Sequence, residues 1–111
     1  MEIFFRTRKL QEICSTEREM QRALGMDCAR KLAQRLMELR AATVLADISR
    51  LPPPRLHEHV GSGKGTFSVD VQQPYRLLFI AADDPVPRDE DGIIDLNAVT
   101  AIEIISIEDP H

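Results

Sequence analysis

The stretch PPPRLHEHVGSGKGTFSVDVQQPYRLLF, residues Pro52 to Phe79, decides the fold. Thr66 to Val71 alternates strictly, with Phe67, Val69 and Val71 apolar and Thr66, Ser68 and Asp70 polar. A period of two marks a half-buried strand. Tyr75 to Ile80 reads as a second, more apolar strand, and Gln72-Gln73-Pro74 is short enough to fold it back as a hairpin. Placing Val71 opposite Tyr75 sets Asp70 across from Arg76 and Ser68 across from Leu78. That register predicts Lys64, Thr66, Ser68 and Arg76 on one face and Phe67, Tyr75 and Phe79 on the other. The aromatic face reads as core and the other as the place for chemistry.

Working outward, 111 residues with an apolar fraction of 43% and no Trp describe one domain able to bury a core. Cys14 and Cys28 form neither a ligand spacing nor a disulfide framework, so a reducing cytosol is the simplest setting. No apolar run approaches membrane-spanning length, and EIFFRTRK at the N-terminus lacks the long apolar core of a signal peptide. Charge is unevenly placed. Residues 1–76 carry 13 Lys and Arg against 9 acids, a balance of +4, whereas residues 77–111 carry one against 9, a balance of −8. A basic body of this kind suits an anionic partner, or is simply a solvated surface.

Upstream, Glu2 to Phe5 reads as a first strand and Thr7 to Ile13 as helical. Ser15-Thr16 followed by Glu19 resembles a capping box. Gly25 breaks that segment, and Asp27 is placed to cap a helix over Cys28 to Ala42. Ala29, Leu32, Leu36 and Leu39 line one side of this helix; Arg30, Lys31, Gln34, Arg35 and Glu38 lie on the other. The basic side serves as an RNA surface, a partner-helix surface or an ordinary wet face. Val44 to Leu51 offers another helical turn before Pro52-Pro53-Pro54 forbids continuation. Downstream, Ala81 to Gly92 is acidic, proline-containing and aperiodic, which predicts a mobile loop, and Ile93 to Ile107 returns to strand, most clearly in Ala101 to Ile107. The expected class is α+β, with helices on one face of a small antiparallel sheet.

These residues carry a resemblance. Pro52-Pro53, Arg55-Leu56-His57, Gly61, Lys64-Gly65, Ser68 and Tyr75-Arg76 stand in the order and spacing of the RelE superfamily of bacterial toxins, closest to its HigB-like, plasmid-maintenance killer branch. The helix ARKLAQRLMELRAA and the ending Asp109-Pro110-His111 are similar to that family's plan. The resemblance implies a RelE-like fold with a small curved antiparallel sheet. It also implies metal-independent cleavage of messenger RNA on the ribosome, without a cofactor, in the cytoplasm and under the control of a helix-turn-helix antitoxin.

In such a cut the ribose 2′-OH attacks the adjacent phosphate, so the site must remove one proton, supply another and stabilise a crowded dianion. His57 is the candidate acid or base, since imidazole titrates near neutrality. Lys64 and Arg76 are the phosphate-holding candidates, and His111 the second proton-transfer group. Arg55, Arg30, Lys31 and Arg35 are the RNA-binding candidates. Each has a structural alternative: His57 and His59 as residues satisfied by a loop, Lys64 as a turn lysine, Arg76 as the cross-strand partner of Asp70, and His111 as a frayed end. The chain also departs from the family. The positions of Asp70, Val60 and Gly63 are usually basic there, and a tyrosine usually stands at Pro110. The loop from Asp83 to Asp91 is longer. A second reading follows, in which a catalytically weakened homologue binds an antitoxin as co-repressor or acts as a ParE-type gyrase inhibitor.

Overall fold

A computed structural model describes residues 1–108 of the chain. Its elements are β1 (Glu2–Phe5), α1 (Arg8–Ile13), α2 (Glu17–Leu24), α3 (Met26–Ala41), β2 (His57–Glu58), β3 (Thr66–Asp70), β4 (Arg76–Ala81) and β5 (Ala101–Glu108). The five strands form one sheet in the order β1-β5-β4-β3-β2. β5 runs parallel to β1, and the other neighbours are antiparallel. The class is α+β as expected, but the sheet is mixed. Three helices separate β1 from the hairpin, so the first strand returns beside the last by a crossover.

The hairpin register is the one the alternation predicts: Asp70 pairs with Arg76, Ser68 with Leu78 and Phe67 with Phe79. Phe67, Val69, Leu77, Phe79, Ile102 and Ile104 form a core with Leu32, Leu36 and Leu39 of α3, each excluded from solvent. Burying a leucine in this way contributes about 2 kcal/mol. Tyr75 departs from expectation. It precedes β4 and is exposed, because the turn residue Gln72 accepts its backbone N–H at 2.8 Å and holds it at the hairpin's end. A β-bulge between Leu78 and Phe79 shifts the register against β5.

Local chemistry sets the helix ends. The Thr7 and Thr16 hydroxyls accept the N–H groups of Leu10 and Glu19, each at 3.1 Å. Gly25, at φ +84°, ends α2 and starts α3 without an intervening linker. Asp27 therefore sits inside the first turn of α3 rather than at its cap, where its charge still favours the positive end of the helix dipole. At the other end the Met1 ammonium donates to the carbonyls of Leu39, Arg40 and Ala42. Cys14 and Cys28 are buried free thiols. Burial pushes Cys14 up to about 11 despite the nearby Arg40.

Residues 82–92 form a loop, as their aperiodic sequence predicts, and hydrogen bonds hold it in place. Ala82 donates to Ala101 O, and the Asp83 carboxylate accepts from Thr100 N, Thr100 Oγ1 and Ala101 N at 2.6–3.2 Å, closing the base of the excursion. Inside it Arg88 bridges Ile94, with Asp89 N donating to Ile93 O. Residues 93–100 are not the continuous strand expected: Ile94 makes only the bridge, residues 96–98 turn, and the carbonyls of Val99 and Leu96 accept from Leu45 and Ala46. Strand resumes at Ala101. Leu45–Asp47 is a single 3-10 turn where more helix was expected.

Arg35 is the main correction to the expected basic face of α3. It is 5% exposed, its Nε donating to Asp70 O at 2.8 Å and its Nη1 pairing with Glu38 at 2.9 Å. Arg30 and Lys31 remain exposed. Two predictions follow from these anchors. Arg35→Ala should lower the unfolding free energy by about 3 kcal/mol, since it orphans a buried carbonyl and Glu38, whereas Arg30→Ala should change it by less than about 0.5 kcal/mol. Urea unfolding of both variants checks this. The second concerns pH. Burial raises the Asp83 pKa, but the bonds from Thr100 and Ala101 outweigh it and hold it below the ordinary 3.8. The stability Asp83 contributes is thus fully present above that ordinary value and is lost as pH falls through the lower folded-state value. Asp83→Asn should be less stable than the parent at neutral pH, and the gap should close on acidification through the carboxylate range.

Candidate functional site

Leu56 decides how the site begins. Its side chain is buried and its N–H donates to Ser49 O at 2.9 Å, which presents the following residues to β3 as a short edge strand. His57 pairs with Ser68, and His59 N continues the ladder to Thr66 O at 2.8 Å. Residues two apart on a strand share a face. Both imidazoles consequently lie over the face away from the helices, their ring centroids 5.5 Å apart. The turn after them closes tightly. A Cβ at Gly63 would lie 3.0 Å from the His59 Cβ, so a long basic side chain at that position would require the turn to shift.

Ser68 links the histidines to the arginines. Its hydroxyl is 3.3 Å from His59 Nε2 and accepts from Arg76 Nη1 at 3.4 Å. Ser68 is itself solvent-excluded, which makes it a positioning group and not an accessible nucleophile. Beyond it Arg55 grips the Asp70 carboxylate with two donors, Nε at 2.7 Å and Nη2 at 3.0 Å, and Arg76 Nε lies 3.3 Å from Asp70 Oδ1. Arg55 holds a backbone φ of +51°, a left-handed conformation that a non-glycine residue adopts at a cost of about 1 kcal/mol. Such outliers persist where surrounding contacts over-determine them. Here the grip on Asp70 and the Arg55 N–H bond to Leu51 O do so.

The fold therefore brings His57, Arg55 and Arg76 into one cluster, together with His59, Ser68 and Asp70. It leaves other sequence candidates elsewhere. Lys64 lies at the opposite end of β3, lining a hollow of about 310 Å³ with Glu58 and Arg88. Arg30 and Lys31 share the exposed side of α3, and Arg35 is structural. His111, with Asp109 and Pro110, lies outside the described residues. Two residues here are not site candidates in the sequence: His59 reads as satisfied by a loop, and Arg88 is not singled out. His59 had a legible signal, its spacing of two from His57. Arg88 had none, because only the folding of residues 82–100 carries it to Lys64. Among the described residues no three His, Cys, Asp or Glu side chains group as metal ligands, and no helix is long and apolar enough to cross a membrane.

The chain matches no family model and no curated protein.

The cluster offers imidazoles for proton transfer and two guanidiniums suited to a planar oxyanion. Asp70 already occupies the seat between those guanidiniums and cancels one of their two charges. Asp70→Asn keeps the shape and removes the charge. It should tighten binding of inorganic phosphate or pyrophosphate at this face about tenfold, at the expense of about 1–2 kcal/mol of stability. Shifts of the arginine Nε–H resonances on titration measure the first, and denaturant unfolding the second.

Proposed function

We propose that this chain is a RelE-like toxin of the HigB-like branch of a type II toxin–antitoxin module, a metal-independent endoribonuclease that cleaves messenger RNA on the ribosome. The supporting observation is the convergence of His57, His59, Ser68 and Arg76 on the sheet face opposite the helices. The order of residues from Pro52 to Arg76 lends the family reading further support.

In this reading the ribose 2′-OH of the substrate attacks the neighbouring phosphate over the open face. His57, exposed at the edge strand, takes or supplies a proton, and His111 or the adjacent His59 serves the opposite step. Arg76 stabilises the charge that builds on the phosphoryl oxygens, once its Asp70 contact is exchanged for substrate. Ser68 holds His59 and Arg76 in relation to one another. Arg30 and Lys31 are available to an acidic segment of a helix-turn-helix antitoxin, and the setting is cytoplasmic.

One observation favours the second reading, a weakened homologue that works by binding its antitoxin as co-repressor, or a ParE-type gyrase inhibitor. Asp70 engages both Arg55 and Arg76, which leaves the site less charge for a dianionic transition state. Expression without a partner protein, followed by mapping of mRNA 5′ ends, separates the readings. Growth arrest with new 5′ ends supports the ribonuclease, and arrest with DNA-topology damage supports the gyrase inhibitor. Absence of arrest, together with tight binding to a helix-turn-helix partner, supports the co-repressor. For the ribonuclease, Arg76→Ala should lower the cleavage rate about a hundredfold or more and His57→Ala by a comparable factor, each after the variant is shown to fold. Full activity in both variants would overturn the assignment.

A further inference from the structure

The second concentration of positive charge lies away from the histidine cluster. Lys64 follows the 3-10 turn Gly61–Gly63, its N–H bonded to Gly61 O at 3.1 Å. Gly65 then reverses the chain at φ +91°, a conformation suited to glycine, and nothing lies within 4 Å of where its Cβ would stand. The space beside Lys64 is therefore open to a ligand.

Arg88 reaches the same space from the acidic excursion. Its backbone is fixed by the bridge to Ile94, and its Nη1 donates to Gly92 O at 2.9 Å, which orients the guanidinium in advance. The nearest acid in sequence does not neutralise it. Asp89 Oδ1 is committed to the N–H groups of Asp91 and Ile93, at 2.8 and 3.0 Å. Among the described residues neither Lys64 nor Arg88 forms an ion pair, in contrast to Arg55 and Arg76.

Both cations line the hollow of about 310 Å³, with Ile93 and Ile94 as an apolar wall and Glu58 as a carboxylate acceptor. That volume lies at the small-ligand end of binding sites. The same two cations border a neighbouring hollow of about 240 Å³ containing Thr66 and Ile80. Those two residues pair across β3 and β4 and share a face with Ser68 and Leu78. The Thr66 end of this face thus borders the hollow beside Lys64, and its Ser68 end belongs to the histidine cluster.

The geometry points to a nucleotide subsite: Lys64 and Arg88 take a backbone phosphate of single-stranded RNA at the other end of β3 from Arg76, with its sugar or base against Ile93 and Ile94. The inference rests on the RNA-directed reading above for its ligand class. Its charge logic is the inverse of the cluster's. The arginines near Asp70 are pre-paired, whereas this pair is free, so the free pair contributes the greater share of RNA affinity while the cluster does the chemistry.

The test uses the full chain and a short fluorescein-labelled oligoribonucleotide, with binding followed by anisotropy at several salt concentrations. Lys64→Ala and Arg88→Ala should each weaken binding about tenfold. Each should also lower the magnitude of the salt slope by about 0.7, the value for one lost phosphate contact on a single strand. Lys64→Arg should retain both, and circular dichroism checks that the folds are kept. Inorganic phosphate should compete only weakly, because it lacks the sugar and base. Unchanged affinity and slope in the double alanine variant would overturn the subsite, even if Arg76→Ala abolishes cleavage and so upholds the ribonuclease reading. Salt-dependent RNA binding through this pair in a protein that cleaves nothing would uphold the subsite and remove the nuclease. Binding of polyglutamate through the same pair, with no RNA binding, would assign the hollow to an acidic protein partner and overturn the proposal.

Discussion

Three arginines from separate segments meet at Asp70. Arg35 of α3 donates to its carbonyl, while Arg55 from the segment before β2 and Arg76 of β4 engage its carboxylate. Its own N–H donates to Pro54 O at 2.8 Å. The one residue thereby joins the long helix, the proline-rich connection and both strands of the hairpin. Taking a carboxylate out of water costs several kcal/mol. That cost is offset here only because every polar group of the residue has a partner. The arrangement is therefore cooperative, and removing one partner strands the others.

The same knot explains the character of the histidine face. Guanidiniums already satisfied by a carboxylate must exchange that contact before they hold a phosphate. An anion thus competes with an internal ligand of the same shape. At the far end of β3, Lys64 and Arg88 form no ion pair among the described residues, although Glu58 lines their hollow; Asp89 Oδ1 accepts instead from Asp91 and Ile93. Charge that looks evenly available along the chain is divided by the fold into a paired half and a free half.

Much of the architecture was legible from Pro52 to Phe79. The alternation of Phe67, Val69 and Val71 against Ser68 and Asp70 determined the hairpin, its register and the face on which Arg76 stands, because a period of two leaves a strand with one buried side only one way to sit. The stripe Ala29, Leu32, Leu36 and Leu39 determined in the same way which side of α3 meets the sheet. Thr7 and Thr16 announced their helices through short-range bonds that need no tertiary partner. Even the pairing of His57 with His59 on one face was implicit in their spacing.

Other features depend on contacts between residues remote in sequence. Arg35 lies on the polar side of its helix by periodicity, yet is buried because Asp70, 35 residues away, offers a carbonyl there. The parallel placement of β1 beside β5 follows from a crossover that no local pattern encodes. Ordering of the acidic excursion depends on Asp83 meeting Thr100 and on Leu45 and Ala46 meeting Val99 and Leu96. That ordering in turn carries Arg88 to Lys64. Sequence periodicity specifies which face of an element is buried, because burial is a property of a local pattern. Which charges are neutralised, and which remain free to act, was decided only by the tertiary structure, because a salt bridge is fixed by the position of its partner.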